Sequence, residues 1–100
     1  MHIISKKALV ECWNRHPDSK KPLSTWYEIA SKAKWKNANE IKESLPNVSV
    51  LLNNRVVFNI KGNDYRLIVA FQFNQELGYI CFVGTHAEYD EIDANKVWMF

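Results

Sequence analysis

The spacing of apolar residues changes halfway along the chain. In the first half apolar side chains recur every three or four positions, and Leu9, Cys12 and Trp13 form one such helical stripe. From Arg55 onward, β-branched and aromatic residues form short runs separated by turn residues, which is typical of strands. The pattern therefore predicts an α+β fold in which N-terminal helices pack on one face of a small antiparallel sheet.

Three helices are predicted in the first half. The first ends at His16, because the residue before a proline avoids the α region. Residues 20–22 then form a polar connector, and a second helix begins at Thr25, which opens a T-x-x-E capping box. A third, shorter helix is capped by Asn37 and closed by Pro46.

The second half predicts a meander of three strands, to which a short N-terminal strand is added. The predicted strands cover residues 2–4, 55–60, 65–73 and 79–85. Gly62 lies in a tight hairpin turn over residues 61–64, where it supplies the positive φ that such turns need. After the last strand, residues 87–93 predict a short acidic helical turn.

Alternation along the predicted hairpin assigns its residues to two faces. If Gly62 and Asn63 form a two-residue turn, Asn59 lies opposite Arg66. A five-residue loop before the last strand then places Arg66 opposite His86. These three polar side chains form a row that points away from the core. The opposite face is wholly apolar or aromatic and is expected to form the core: Val56, Phe58, Ile60, Tyr65, Leu67, Val69, Phe71 and Phe73.

Composition supports one folded domain over residues 1–100. Hydrophobic residues make up 47% and charged residues 24%, which is ordinary for a globular protein and too apolar for a disordered one. The net charge is +2, and the basic side chains are concentrated in residues 1–50. Lys32, Lys34 and Lys36 are first of all explained as a solvated helix end, and they are secondarily candidate phosphate contacts.

Several classes of protein are disfavoured. Cys12 and Cys81 belong to no CxxC motif, which argues against disulfide-rich scaffolds and zinc ribbons. The first residues lack the apolar region of a signal peptide, and the longest apolar run, residues 67–71, is too short to span a membrane. No metal-ligand spacing, serine elbow or Gly-rich nucleotide loop is present. We therefore expect a cytoplasmic protein without a metal or cofactor.

The polar row offers the groups that RNA cleavage by the ribose 2′-OH requires. Such a reaction needs a proton acceptor, a proton donor for the leaving oxygen, and cations around the phosphorane. His86 supplies an imidazole, Arg66 a bidentate fork and Lys61 a point charge, with Arg55 as a further phosphate contact. The simpler alternative is that these are solvated surface side chains on a sheet.

Two segments resemble the HigB toxins of bacterial type II toxin–antitoxin systems, which belong to the wider RelE-like group. Residues 57–68 contain FNIKGN and YRL, and residues 82–94 contain THAEYD. The resemblance implies a RelE-like, metal-independent endoribonuclease that enters the A site of the 30S ribosomal subunit and cuts messenger RNA during translation. It also implies a HigA-like helix-turn-helix antitoxin, through which the complex binds operator DNA.

By motif position, the resemblance implies a set of site residues. The catalytic candidates are Arg66, His86, Tyr89, Asp90 and Lys61, and the RNA-binding candidates beside them are Asn59 and Asn63. Arg55 is a further RNA-binding candidate from its position on the strand, not from the motif. His86 is expected to be the general acid or the general base, while Arg66 and Lys61 stabilise the phosphorane. Tyr89 stacks on a base or shares the proton transfer. Asp90 orients His86 or caps the turn.

Two other functions compatible with this pattern are a ParE-like toxin that inhibits gyrase and a non-catalytic RNA- or protein-binding module. A gyrase inhibitor has no need of a polar row that contains His86, which disfavours the first. The apolar C-terminal residues 97–100 are expected either to pack on the core or to contact the antitoxin.

Overall fold

A mixed β-sheet forms the centre of the protein in a computed structural model, which describes residues 1–94. Its strands are β1 (His2–Ile4), β2 (Val48–Val50), β3 (Arg55–Ile60), β4 (Tyr65–Gln72) and β5 (Leu77–Thr85), in the spatial order β1-β5-β4-β3-β2. β1 pairs in parallel with β5, and the other neighbours are antiparallel. The α+β prediction and the N-terminal strand are confirmed, but the sheet is mixed rather than wholly antiparallel because β1 runs parallel to β5. The short edge strand β2 was not predicted.

Four helices accompany the sheet in the described part of the chain. They are α1 (Lys6–Arg15), α2 (Lys20–Lys32), α3 (Ala38–Ser44) and α4 (His86–Asp90), and a 3-10 turn (Pro17–Ser19) joins the first two. The end of α1 and the capping of α3 agree with the sequence. In α3 the Asn37 side chain accepts a hydrogen bond of 3.0 Å from the backbone N–H of Glu40.

The start of α2 was predicted wrongly. The helix begins at Lys20 and includes the residues assigned to a connector, so Thr25 lies inside it rather than at its N-terminus. Pro22 falls in the first turn of α2, where the backbone N–H groups have no acceptor within the helix. A proline there removes no hydrogen bond, so it does not interrupt the helix.

The main core lies between α1, α2 and α3 and one face of the sheet. It contains the predicted apolar face of the hairpin, with Phe73 packed at its margin. Trp26 of α2 meets the Phe58 ring at a centroid distance of 5.2 Å in an edge-on arrangement. Trp26 is only 4% exposed, yet its indole N–H has no hydrogen-bond acceptor. Within residues 1–94, this nitrogen is the one buried side-chain polar atom without a partner. Such a group costs about 1–3 kcal/mol.

A second, smaller apolar cluster covers part of the opposite face of the sheet. Its buried members are Val57, Ile68, Cys81 and Phe82. Tyr89 of α4 and the residues that follow the helix pack against it. The face that carries Arg66 is therefore partly covered, and α4 is the element that brings further polar side chains to it.

No helix within the described residues 1–94 is long and apolar enough to cross a membrane. Residues 97–100, for which core packing or antitoxin contact was predicted, lie outside the described part of the chain.

Candidate active site

The β3–β4 hairpin has the predicted register. Asn59 pairs with Arg66, and Ile60 pairs with Tyr65. Gly62 has a φ of 65°, as predicted, and Lys61 beside it also adopts a positive φ, of 52°. The turn thus places Lys61 and Arg66 at the same end of the sheet.

The predicted register of the next strand is wrong. Arg66 pairs with Gly84, and Thr85 ends β5, so His86 is not part of a cross-strand row. His86 is instead the first residue of α4. The polar group is therefore built from a hairpin and a helix, rather than from three strands.

The length of the β4–β5 connection causes the error, and a bulge in β5 partly offsets it. The β4–β5 connection is shorter than the predicted loop, since Gln72 already pairs with Leu77. The ladder then shifts by one residue in the opposite direction between Ile68 and Val69 of β4, where β5 contains one extra residue. Such a bulge leaves no reliable signal in a run of uniformly apolar residues.

A capping box fixes the start of α4. The Thr85 side chain accepts a hydrogen bond of 3.2 Å from the Glu88 N–H, and the Glu88 carboxylate accepts one of 2.8 Å from the Thr85 N–H. The hydrogen bond from the Thr85 backbone lowers the pKa of Glu88. The backbone N–H of His86 also donates to the Asp64 carbonyl over 3.0 Å, which joins α4 to the hairpin turn.

Close packing around Gly84 lets α4 lie against the sheet. A Cβ atom at this position would come within 2.8 Å of the Glu88 carboxylate and 2.9 Å of the Phe82 ring. Any larger residue at position 84 must therefore displace the capping glutamate or the ring.

His86 and Asp90 form a pair on one side of α4. The distance from His86 Nδ1 to Asp90 Oδ2 is 2.9 Å, and the two side chains are about half exposed, at 49% and 59%. The helical spacing of four residues brings them together, as the sequence indicated. Because the carboxylate engages Nδ1, the other ring nitrogen, Nε2, is the one that a substrate can meet.

Arg66 lies against Tyr89. The guanidinium carbon is 5.7 Å from the centre of the Tyr89 ring, and Nη1 donates a hydrogen bond of 3.0 Å to the Asn63 carbonyl. Tyr89 itself contacts the Phe82 ring at a centroid distance of 6.4 Å. These contacts hold the guanidinium in place while its bidentate fork can still bind an anionic oxygen.

Lys61 belongs to an ionic cluster that the sequence did not predict. Its Nζ lies 2.7 Å from Asp18 Oδ2 and 3.5 Å from Asp64 Oδ2, and Asp18 also accepts a hydrogen bond from the Tyr65 hydroxyl. We refer to Asp18, Lys61, Asp64 and Tyr65 as the Asp18 cluster. No local sequence signal indicates it, because Asp18 lies between α1 and α2, far from the hairpin in the chain.

Hydrogen bonding shifts the titration of this cluster. The bonds from Lys61 and Tyr65 lower the pKa of Asp18, and the bond to Asp18 raises the pKa of Lys61. The bond to Asp18, together with burial, raises the pKa of Tyr65 to about 12. The cluster therefore favours an ionised Asp18, a charged Lys61 and a neutral Tyr65.

The other polar residues predicted around the site lie at two different ends of β3. The Asn59 side chain donates a hydrogen bond of 3.1 Å to the Asn47 carbonyl, and Asn63 contacts Arg66 through its backbone. Both therefore lie beside the hairpin turn. Arg55 is at the other end of β3, where Nη1 donates to the Ala94 carbonyl over 3.3 Å.

The three predicted lysines are far from His86. Lys32 pairs with Glu28 at 3.1 Å, and Lys34 lines a shallow cavity with residues at the start of β5. Lys36 lies by the β4–β5 connection. Because His86 follows the end of β5, the lysines occupy the opposite end of a strand that is roughly 30 Å long.

Known proteins match most of this chain. Residues 19–92 match the family model described as HigB_toxin, the RelE-like toxic component of a toxin–antitoxin system. The chain is 32% identical to the mRNA interferase toxin HigB of Escherichia coli K12, over 90% of this chain and 88% of that protein. It is 28% identical to the mRNA interferase HigB of Escherichia coli O6:H1, over 92% and 91% respectively.

Proposed function

Because the chain belongs to the HigB family of RelE-like toxins, we propose that it is the toxin of a toxin–antitoxin pair and cleaves messenger RNA. The observation that carries the proposal is the His86–Asp90 pair on α4, with the Arg66 guanidinium over the Tyr89 ring of the same helix. A proton-exchanging imidazole beside an oriented guanidinium is suited to phosphoryl transfer without a metal.

The proposed reaction uses the ribose 2′-OH as the nucleophile. Its oxygen forms a bond to phosphorus as the bond to the 5′-oxygen breaks, which leaves a 2′,3′-cyclic phosphate and a 5′-hydroxyl. The 2′-OH loses its proton and the 5′-oxygen gains one. His86 carries out one of these two transfers through Nε2, as base or as acid, with solvent serving the other, and Asp90 orients the ring. Arg66 binds the phosphorane oxygens.

We assign Lys61 a different task from the one the resemblance implied. Its ammonium group is engaged by two carboxylates, so its charge is largely balanced before RNA binds. In our proposal Lys61 fixes the hairpin turn that supports Arg66. Tyr89 positions Arg66 and offers its partly exposed ring to a base, while Asn59 and Asn63 contact the RNA beside the turn.

The biological setting is part of the same proposal. We infer that the protein acts in the cytoplasm, on messenger RNA in the ribosomal A site, and that a HigA-like antitoxin neutralises it. Operator DNA would be bound only through the antitoxin. The family description supports the antitoxin, and the activity named for the two relatives supports messenger RNA as the substrate.

The decisive experiment maps RNA ends after brief induction and, in parallel, on translating ribosomes. His86→Ala and Arg66→Ala are each expected to lower the cleavage rate about 10²- to 10⁴-fold. His2→Ala is the matched control, because His2 is an exposed histidine on β1, at the other end of β5. Wild-type cleavage by both folded site variants would contradict the assignment. Intact messenger RNA together with DNA damage signalling would instead indicate gyrase inhibition.

A further inference from the structure

An apolar groove lies between α2 and the β2–β3 edge of the sheet. One wall is formed by Thr25 and Ile29, one turn apart on α2, and the other by Leu45 and Pro46 at the end of α3. Ile29 is a large apolar side chain with 43% of its surface exposed. The α2–β3 groove is thus an apolar surface that the described residues leave open.

The buried side of the groove contains the unpaired indole of Trp26. This ring lines the groove and packs against Phe58, yet its N–H has no acceptor. The nitrogen is covered in the free protein, so an acceptor reaches it only when a groove wall moves. An occupant that carries a carbonyl or carboxylate oxygen would satisfy it.

The charge of the groove disfavours RNA, and its volume is small for a small-molecule ligand. Its volume is about 270 Å³, which is below the roughly 300–1,000 Å³ of small-molecule sites. The cation that lines it is Lys61, which is already paired with Asp18 and Asp64. One cation beside two carboxylates gives a phosphate backbone no favourable field.

We propose that the α2–β3 groove is a docking site for the antitoxin, which inserts one or two large aliphatic or aromatic side chains between Ile29 and Pro46. This inference rests on the proposed function, since the family description requires a partner that neutralises the toxin. Asn59 and Lys61 line one end of the groove. An antitoxin segment seated there reaches the hairpin turn beside Arg66 and excludes RNA from it.

The test measures antitoxin affinity and nuclease activity separately. The purified antitoxin encoded beside the toxin is titrated into the whole protein by calorimetry. Ile29→Glu and Thr25→Arg, both at exposed positions, are each expected to weaken binding by about tenfold or more. Leu52→Glu is the matched control, because Leu52 is 70% exposed and lies outside the groove. All three variants should cleave messenger RNA at the unsubstituted rate when the antitoxin is absent.

Other outcomes overturn the proposal in distinguishable ways. Unchanged antitoxin affinity in both groove variants removes the groove as the docking site. If these variants lose cleavage but retain antitoxin affinity, the occupant is RNA, and if they lose only self-association, it is a second copy of the chain. If the unsubstituted protein binds the antitoxin but cuts no RNA, the proposed function fails. The ratio of antitoxin affinities between the groove variants and the unsubstituted protein then still tests whether the antitoxin docks in the groove.

Discussion

At the scale of single residues, Arg66 is positioned before any substrate arrives. Its guanidinium rests on the Tyr89 ring and donates to the Asn63 carbonyl. A charge that is fixed in advance stabilises a transition state without reorganising during the reaction, which makes it a large term in catalysis. The shape of the guanidinium matters as much as its charge, because a planar fork both stacks and binds two oxygens.

Arg66→Lys separates charge from geometry. The variant retains the positive charge but loses the planar, bidentate guanidinium, so we expect the single-turnover cleavage rate to fall about 10²- to 10³-fold. RNA affinity should change much less. Arg15→Lys, at an exposed position on α1, is the control. Cleavage by Arg66→Lys at the wild-type rate would show that charge alone is sufficient.

At the scale of secondary-structure elements, the site depends on where α4 meets the hairpin. Thr85 caps the helix, and the His86 N–H bonds to the Asp64 carbonyl. Three of the candidate catalytic side chains are on this one short helix. A displacement of α4 therefore moves all three together relative to Arg66.

Gly84→Ala tests this dependence. The added methyl group would meet the Glu88 carboxylate and the Phe82 ring at under 3 Å, so we expect a loss of about 1–3 kcal/mol in the free energy of unfolding. The cleavage rate should fall by more than the loss of folded protein explains. Denaturation measures the change in stability, and a cleavage assay measures the change in rate. Gly62→Ala is the control. It has open space around it and costs only the strain of a positive φ. Equal activity in the two variants would argue against a displaced α4.

The Asp18 cluster makes stability depend on pH at both ends of the range. A lowered pKa of Asp18 means that its contribution is present above the ordinary aspartate pKa and is lost as the pH falls through the folded-state value. Tyr65 shows the reverse, because its pKa rises from 10.0 to about 12, so its contribution is present below pH 10 and lost towards pH 12. Lys61 adds to this alkaline loss in the same direction.

Asp18→Asn is therefore expected to flatten the dependence of the free energy of unfolding on pH at both the acid and the alkaline end. Denaturant midpoints measured from acid to alkaline pH should show the largest difference from the unsubstituted protein near neutral pH and a shrinking difference towards either extreme. Asp64→Asn is the control, since Asp64 contacts Lys61 but accepts no bond from Tyr65. A difference that is constant across the range would refute the linkage.

Local signals account for what the sequence predicted about these elements. Alternation and Gly62 defined the β3–β4 hairpin, and Asn37 defined the start of α3. The β5 register was missed because the β4–β5 connection is shorter than the predicted loop, and a bulge among apolar residues offsets only part of that shift. The Asp18–Lys61 pair was missed because it joins elements that are distant in the chain. What remained unpredicted was set by tertiary packing.

At the scale of the whole molecule, the candidate groups occupy opposite ends of the sheet. His86 and Arg66 lie where β5 ends, while Lys34 lies where β5 begins. The small net charge of +2 conceals this separation. One end is suited to chemistry, and we propose that the other contacts ribosomal RNA.

Replacing the distant lysines should affect binding but not chemistry. We expect the combined Lys32→Ala, Lys34→Ala and Lys36→Ala variant to raise KM on translating ribosomes while kcat stays unchanged. The slope of log KM against log salt concentration should become shallower by about one for each phosphate that the variant no longer neutralises. The control removes the same charge elsewhere, at the exposed residues Lys7, Lys20 and Lys42. Equal effects in the two variants would show that only total charge matters.

The parallel pairing of β1 with β5 has a consequence for when toxicity arises. It joins His2 to Leu77, so this edge of the sheet forms only after distant parts of the chain have met. Contacts of such long sequence separation slow folding, because the entropy of loop closure is lost before the contacts form. We therefore expect newly made protein to pass through an inactive interval that a helical protein of equal size would not have. That delay gives an antitoxin made at the same time the opportunity to bind before the nuclease is assembled.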